Sequence, residues 1–254
     1  MNSAFVSSLF FLSTAKSQDL VDKLRQAGIV QTPAVQKVME QVDRANYIAR
    51  NAYMDAPQSI GQGQTISAPH MHAHVLEEMY PYLRNKEHVK MLDVGCGSGY
   101  LTATLGRWVS PKEEDDHNDD KNNILGVQSG RVFGIDVHQE LVDKTRQNMQ
   151  EQDGDLLRDG IVKLFLRDGW KGVKEEAPFD VIHVGAAANS LPYELVQQLK
   201  VNGVMIIPIG LQSEAQTLYK IQRIRQSDEF HPEDFQMTTL LGVRYVPLVH
   251  TDTN

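Results

Sequence analysis

The chain has 254 residues, which fits one large α/β domain, and 41% of them are hydrophobic, so it can bury a proper core. Its net charge of −8 argues against non-specific binding to nucleic acid, because such binding needs a basic surface that replaces counterions. A single cysteine excludes an intrachain disulfide framework and is typical of a reducing compartment, and no apolar run reaches the length of a membrane-spanning helix.

The N-terminus carries a short apolar stretch at residues 4–15 that is similar to the hydrophobic region of a secretory signal. No lysine or arginine precedes Lys16, although such signals usually begin with basic residues. We therefore interpret the stretch as an N-terminal extension that packs on the domain or frays. Together with the scarcity of cysteine, this interpretation favours a cytoplasmic protein over a secreted one.

Amphipathic patterns predict three helices before the first strand, over residues 18–27, 33–42 and 69–83. Gly28 ends the first helix, and Thr32 followed by Pro33 begins the second. Pro69 stands in the first turn of the third helix, where a backbone N–H is not needed. Residues 48–68 are rich in glycine, proline and polar side chains, and they predict an irregular segment.

The most informative motif follows an apolar strand over residues 89–94. Gly95, Gly97 and Gly99 alternate directly after this strand, and a helix over 101–109 comes next. Glycines at that point let the backbone turn sharply and approach a ligand closely. The spacing G-x-G-x-G differs from the G-x-G-x-x-G of dinucleotide enzymes. With Asp93 just ahead of it, the loop resembles the S-adenosylmethionine loop of class I methyltransferases.

Beyond this helix, residues 110–130 contain two acidic runs and almost no apolar side chain, which predicts a mobile surface insertion. The alternation of elements then resumes. Further strands are predicted over 131–136, 161–166, 179–184, 204–209, 217–225 and 240–246, with helices over 139–149 and 191–199. Strands that alternate with helices predict a doubly wound, mostly parallel sheet.

Acidic residues stand at the ends of three predicted strands, on the same rim of the sheet. Asp136 can accept hydrogen bonds from both hydroxyls of a ribose, and the polar insertion explains its long spacing from the glycines. Asp168 can accept from an adenine amino group, with the next backbone N–H serving a ring nitrogen. Together with Asp93 and the glycine loop, they favour an adenosine-type ligand.

His70, His72 and His74 raise the question of a metal site, because His70 and His74 are spaced to share one face of a helix. His72 lies on another face, and no acidic or cysteine ligand stands beside them. We therefore predict no metal.

Four strings closely resemble the protein-L-isoaspartate (D-aspartate) O-methyltransferase family, within a resemblance that runs from residue 18 to 248. They are residues 53–73, 93–99, 177–188 and 241–248. The resemblance implies a class I, Rossmann-like S-adenosylmethionine-dependent methyltransferase with a seven-stranded sheet and an N-terminal helical extension. It implies a single domain over 1–254, in which residues 1–68 form the helices and the active-site approach and residues 69–254 form the cofactor-binding core.

The implied activity is methylation of the free α-carboxylate of L-isoaspartyl and D-aspartyl residues in damaged proteins, which initiates repair through a succinimide. The implied cofactor is S-adenosyl-L-methionine, with S-adenosyl-L-homocysteine as product, and Ser67 matches the catalytic serine. The implied cofactor contacts are Gln64, Thr65, Ile66, Ser67, His72, Asp93, Gly95, Gly97, Ser98, Asp136, Val137, Asp168 and Gly169. The implied substrate contacts are Ile60, Thr65, Ser67, Val184, Ala186 and Ala187. We expect a monomer that acts on isoaspartyl proteins and has no nucleic-acid or membrane partner.

Residue chemistry supports the role of Ser67 independently. A carboxylate with a pKa of about 4 is ionised at neutral pH, so its methylation needs alignment and exclusion of water rather than a strong base. A hydroxyl and backbone N–H groups orient an anion, whereas Arg or Lys in direct contact would damp its nucleophilicity. Ser67 is thus predicted to be a positioning donor that also caps the helix beginning at Pro69.

Two residues depart from the pattern of the family. Cys96 stands in the loop where many relatives have serine, and we expect it to be a candidate for thiol modification. Val249 replaces a polar residue that some relatives place near the cofactor, so a C-terminal contact with the ligand stays open.

Three alternatives remain. A nicotinamide-dependent dehydrogenase would share the sheet but needs the longer glycine motif. A non-catalytic S-adenosylmethionine-binding relative would carry C-terminal adaptor sequence, whereas this chain stops at Asn254. A class I methyltransferase acting on nucleic acid or a small molecule is disfavoured by the acidic charge and by residues 65–67.

Overall fold

The computed structural model of the chain describes residues 3–110, 127, 129–227 and 229–251, with side chains from residue 15 onward. Nearly all of the acidic insertion predicted at 110–130 lies outside these residues. Within the described part of the chain, no helix is long and apolar enough to cross a membrane.

A seven-stranded sheet forms the centre of the fold. The strands in chain order are β1 (Gln58–Gly61), β2 (Gln64–Ile66), β3 (His88–Val94), β4 (Ser129–Asp136), β5 (Val162–Leu166), β6 (Phe179–Val184), β7 (Leu199–Ile209), β8 (Gln216–Arg223) and β9 (Phe235–Val243). The order across the sheet is β5-β4-β3-β6-β7-β8-β9. The pairings from β5 to β7 are parallel, and β8 is antiparallel to both of its neighbours. The predicted mostly parallel seven-stranded sheet is therefore confirmed.

Helices cover both faces of the sheet, as a doubly wound fold requires. They are α1 (Ser3–Gln26), α2 (Pro33–Gln41), α3 (Pro69–Leu83), α4 (Tyr100–Val109), α5 (Gln139–Gln152), α6 (Gly154–Arg158) and α7 (Tyr193–Val196). Alternate residues of one strand enter different cores: Met91 packs with α1 to α5, and Leu92 packs in a second cluster that includes α7. The bounds of α3 agree with the prediction, and those of α2, α4 and α5 differ by up to three residues.

Four predicted helices or strands were wrong. The strand predicted over 240–246 is β9, which spans Phe235–Val243 and so begins five residues earlier and ends three residues earlier. The first helix begins at Ser3 instead of residue 18, because neither glycine nor proline interrupts the chain before Gly28. Of the helix predicted over 191–199, only Tyr193–Val196 is helical, and β7 begins at Leu199. A shift in the β6–β7 register and a left-handed Asn202 let β7 continue past residues 200–203, which were predicted to separate the helix from a strand.

Residues 48–68 are more regular than predicted, because they contain the antiparallel hairpin β1–β2. Its turn uses positive φ at Gly61, Gln62 and Gly63, which glycine adopts without strain. Ile60 and Ile66 bury one side of the hairpin against the body. Strands of three and four residues give too weak an alternation to recognise in a sequence.

Candidate active site

The glycine loop joins β3 to α4 and forms the floor of the site. Gly95, Gly97 and Gly99 all have positive φ, and the N–H of Gly95 donates to the carbonyl of Ile135 on β4 at 2.8 Å. A Cβ at Gly99 would lie 2.7 Å from a methyl group of Thr145 on α5. The loop therefore requires glycine for its conformation and, at Gly99, for space as well.

Asp136 ends β4 beside this loop. One of its carboxylate oxygens accepts from the N–H of Gly97 at 3.1 Å, and the other accepts from the N–H of His138 at 3.0 Å. Burial raises the pKa of Asp136, and these two hydrogen bonds act in the opposite direction. An ionised carboxylate has about four lone-pair sites, so the carboxylate keeps acceptor capacity for ligand hydroxyls.

Asp168 follows β5, and the C-terminal segment of the chain covers it. One carboxylate oxygen accepts from the N–H of Trp170 at 2.9 Å, and the other lies 3.3 Å from His250 Nδ1 and 3.4 Å from the N–H of Thr251. The Trp170 ring stacks on His250 with centroids 4.8 Å apart, and its Nε1 donates to the carbonyl of Leu248. In the predicted adenine acceptor, Asp168, the Oδ2 atom is thus in contact with the C-terminal segment.

Asp93 is the most buried of the three acids, with 1% of its surface exposed. One oxygen accepts from the hydroxyl of Thr102 on α4 at 2.5 Å, and the other lies 2.8 Å from His183 Nδ1 on β6. Both oxygens therefore have protein partners, and Asp93 joins β3, β6 and α4 beneath the loop.

Two adjoining cavities bring most of the predicted site residues together. The larger one, a cleft of about 520 Å³ that is open to solvent, is bordered by Ile60, Gln64, Thr65, Gly95, Gly97, Asp136, Val137, Gly169 and Ala186. The smaller one, of about 350 Å³, is bordered by Thr65, Ile66, Ser67, His72, Asp93, Gly95, Gly97 and Ser98. Asp168 borders a separate hollow, and Val184 and Ala187 are buried without bordering either cavity.

Ser67 lies at the bend between β2 and α3 and is half-buried in the smaller cavity. The capping position of α3 belongs to Ala68 and has no side-chain hydrogen bond, so the predicted capping role of Ser67 is wrong. The carbonyl of Ser67 accepts from Arg44 Nη2 at 2.6 Å. Burial raises the pKa of the Tyr245 phenol, and a side-chain hydrogen bond with Ser67 opposes that shift.

His72 borders the same cavity as a neutral imidazole. Its Nδ1 lies 3.1 Å from Arg44 Nη1, and a guanidinium can only donate, so Nδ1 accepts and Nε2 carries the proton. Burial, followed by the charge of Arg44, holds the pKa of His72 well below its usual range. The imidazole also packs against the ring of Tyr100, with centroids 5.0 Å apart.

Arg44, Tyr100, His183 and Tyr245 border or brace the site and were not found by sequence reasoning. His183 left a signal, because it is a polar residue within a continuous apolar strand. Arg44 left none, because an arginine between helices is ordinarily exposed.

The remaining candidates are His70, His74 and Cys96. His70 Nδ1 lies 2.8 Å from a carboxylate oxygen of Asp55, and His74 on the same helix is half-buried with no hydrogen-bond partner at its Nε2. Cys96 is 5% exposed, and its pKa is raised well above the usual range by burial and then by the charges of Asp136 and Asp93. A buried, protonated thiol is unreactive, so the structure argues against thiol modification.

Comparisons with known proteins agree with this geometry. The model of the family described as protein-L-isoaspartate(D-aspartate) O-methyltransferase (PCMT) matches residues 15–253. The chain is 38% identical over 239 residues to protein-L-isoaspartate O-methyltransferase of Triticum aestivum, covering 93% of this chain and 92% of the relative. The relative of the same name from Caenorhabditis elegans is 35% identical over 214 residues, covering 84% and 86%.

Among solved structures, the chain is similar to one described as a protein-L-isoaspartate O-methyltransferase from Plasmodium falciparum in complex with S-adenosyl-L-homocysteine. The two are 32% identical with a TM-score of 0.74, covering 92% of this chain and 98% of that one.

Proposed function

The chain belongs to the protein-L-isoaspartate(D-aspartate) O-methyltransferase family, and on that premise we propose how its residues perform the reaction. It transfers a methyl group from S-adenosylmethionine to isoaspartyl residues of damaged proteins and so initiates their repair. One observation carries the proposal. The cleft beside Asp136 and the cavity beside Ser67 share the wall formed by Thr65, Gly95 and Gly97, so donor and acceptor meet there.

The larger cleft fits the nucleoside. Asp136 keeps acceptor capacity for the ribose hydroxyls, and the glycine loop lets the ligand approach the backbone. A Cβ at Gly169 would collide with side chains of Val94 and Leu248, so the chain is closely packed around the predicted adenine site. When bound, S-adenosylmethionine supplies a sulfonium methyl group, which a carboxylate oxygen takes as the carbon–sulfur bond breaks, with no proton to move.

The smaller cavity orients the acceptor. The hydroxyl of Ser67 donates to the free α-carboxylate of the isoaspartyl or D-aspartyl residue, and no residue needs to remove a proton because the carboxylate is already ionised. Thr65 borders both cavities, and Ile60 and Ala186 border the adjoining cleft, where they limit the access of water to the reacting oxygen once the ligands are bound. His72 is neutral and buried, so it adds no charge to the lining of the smaller cavity. The ester so formed closes to a succinimide, whose hydrolysis partly restores aspartate.

The same proposal covers the organisation of the chain. Residues 1–254 form one methyltransferase domain, since α1 to α3 share a hydrophobic core with the sheet. The protein acts in the cytoplasm as a monomer on isoaspartyl proteins, without nucleic-acid or membrane partners. The single cysteine supports the cytoplasmic location, and the net charge of −8 supports the absence of nucleic-acid partners.

Tritiated methyl transfer to an isoaspartyl peptide and to its aspartyl twin tests the function. We expect labelling of the isoaspartyl peptide alone. Ser67→Ala should lower kcat/KM by roughly 10- to 150-fold, because a hydrogen bond to a charged group contributes about 1.5–3 kcal/mol. Ser213→Ala, on an exposed loop, is the matched control. Equal labelling of both peptides, or of neither, would overturn the proposal.

A further inference from the structure

Arg44 is a buried cation without a carboxylate partner. Its side chain is 1% exposed, and its Nη atoms contact the carbonyl of Ser67 and Nδ1 of His72. The guanidinium carbon lies 5.3 Å from the centre of the Tyr100 ring, and Nε has no hydrogen-bond partner. Among the residues that the structure describes, no carboxylate comes within 4.0 Å of this guanidinium.

Such an arrangement is costly, because a charge removed from water is normally compensated by an opposite charge. Burial lowers the pKa of Arg44 to about 10, which leaves the group protonated at neutral pH. Tyr100 and then the charge of Asp55 oppose this lowering of the pKa, although the Asp55 carboxylate is already bound to His70. Neither the carbonyl of Ser67 nor the neutral imidazole of His72 supplies a negative charge.

The cavity beside Ser67 lacks a free anion as well. The carboxylate of Asp93 borders it, but both oxygens of Asp93 are bound, to Thr102 and to His183. A substrate that carries its own carboxylate into the cavity would therefore supply the missing charge. The isoaspartyl residue is such a substrate, because its α-carboxylate is free while its side-chain carbonyl forms the peptide bond.

We propose that Arg44 is a positioning residue that makes the acceptor site selective for an anion. Its charge lies behind the carbonyl of Ser67, so it attracts the α-carboxylate of the substrate without donating to the reacting oxygen. The substrate carboxylate keeps its nucleophilicity because its hydrogen bond comes from the neutral hydroxyl of Ser67, whereas the charge of Arg44 attracts it without direct contact. This inference rests on the proposed function, since it names the feature of the isoaspartyl group that the site selects.

The size of the effect follows from Coulomb's law. With a carbonyl group and the Ser67 side chain between them, the two charges lie about 7 Å apart, and an effective dielectric constant of about 20 gives roughly 50-fold tighter binding. Solvent in the open cleft reduces this factor. We therefore expect a preference of about 10- to 50-fold for the anion.

The experiment compares two fluorescent peptides that differ in one group. One contains L-isoaspartate, and the other contains isoasparagine, in which a neutral carboxamide replaces the α-carboxylate. Their dissociation constants are measured by anisotropy with the protein saturated with S-adenosylhomocysteine. The variants are Arg44→Met, Arg44→Gln, which can still donate to the Ser67 carbonyl, and Arg44→Lys. Arg50→Met removes the same charge from an exposed position and is the control.

The unsubstituted protein and Arg50→Met should bind the isoaspartyl peptide about 10- to 50-fold more tightly than the isoasparaginyl peptide. Arg44→Met and Arg44→Gln should reduce the preference to below about threefold, with the affinity for S-adenosylhomocysteine retained, and Arg44→Lys should keep most of it. If Arg44→Met does not fold, Arg44→Gln decides. If neither neutral variant folds, Arg44→Lys decides. A preference for the isoaspartyl peptide that is largely kept supports the inference, and a preference that is lost overturns it.

Two results would overturn the inference. Neutral variants that lose affinity for both peptides equally would show that Arg44 only shapes the bend, and neutral variants that keep the preference would show that the charge is irrelevant. The proposed function fails differently. In that case the unsubstituted protein would not distinguish an isoaspartyl peptide from its aspartyl twin.

Discussion

Replacing Asp136 by asparagine removes the charge that is proposed to hold the ribose while conserving the shape of the side chain. Each oxygen of Asp136 accepts one backbone N–H, from Gly97 and from His138. An asparagine places its amide nitrogen against one of these donors, so one backbone N–H loses its acceptor. The substitution therefore weakens both the loop and the hydrogen bonds that remain available to the ligand.

The magnitude follows from the hydrogen bonds. A hydrogen bond to a charged group contributes about 1.5–3 kcal/mol and a neutral one about 0.5–1.5 kcal/mol, so each ribose hydroxyl loses roughly 1–1.5 kcal/mol. Two hydroxyls together lose roughly 2–3 kcal/mol, which corresponds to a factor of about 30 to 150 in the dissociation constant of S-adenosylhomocysteine. The effect on the loop adds to this value.

Titration calorimetry of S-adenosylhomocysteine measures the loss directly. Asp143→Asn, an exposed carboxylate on α5 that pairs with Arg146, is the matched control and should bind normally. A ligand without the 2′-hydroxyl gives an internal check, because its loss of affinity should be larger in the unsubstituted protein than in Asp136→Asn. If Asp136→Asn folds and binds S-adenosylhomocysteine within about threefold of the unsubstituted protein, the assignment of Asp136 to the ribose is refuted.

The affinity for S-adenosylhomocysteine should fall on acidification, because the ligand hydroxyls donate to an ionised Asp136. Burial raises the pKa of this carboxyl. Calorimetry at acidic pH should therefore show a loss of affinity that begins above the usual pKa range of aspartate and is absent in Asp136→Asn. Tyr47→Phe removes the hydrogen bond from the phenol to the buried carboxylate of Asp153. In urea it should lower the free energy of unfolding by about 1.5–3 kcal/mol, without changing the affinity for S-adenosylhomocysteine. An unchanged unfolding midpoint would contradict the assigned hydrogen bond. Gly99→Ala should lower the free energy of unfolding by about 1–3 kcal/mol, because its φ of +91° is strained for alanine and the new methyl group would lie 2.7 Å from a carbon of α5. At Gly242 a methyl group would meet open space, so Gly242→Ala should lower stability far less.

Local patterns predicted the parts of the fold that local interactions decide. The bounds of α3 follow from Pro69 at its first turn and an apolar face, and the glycine loop follows from three residues that must adopt positive φ. Residues 191–199 failed because spaced apolar residues such as Leu195 and Leu199 fit a helix as well as a turn that leads into a bulged strand. The hairpin β1–β2 failed because its strands are too short to show a period.

The sequence by itself determined the class of the protein, since the glycine loop, Asp136 at a strand end and Ser67 ahead of Pro69 are recognisable from residue type and spacing. Only the tertiary structure determined which ionisable side chains are buried and how their pKa values shift. Arg44 lies 23 residues before the carbonyl that it binds, and its burial, like that of Cys96 and Asp93, comes from elements distant in the chain. Burial and the nearest charged neighbour set a pKa, and both depend on how the chain packs rather than on its local sequence.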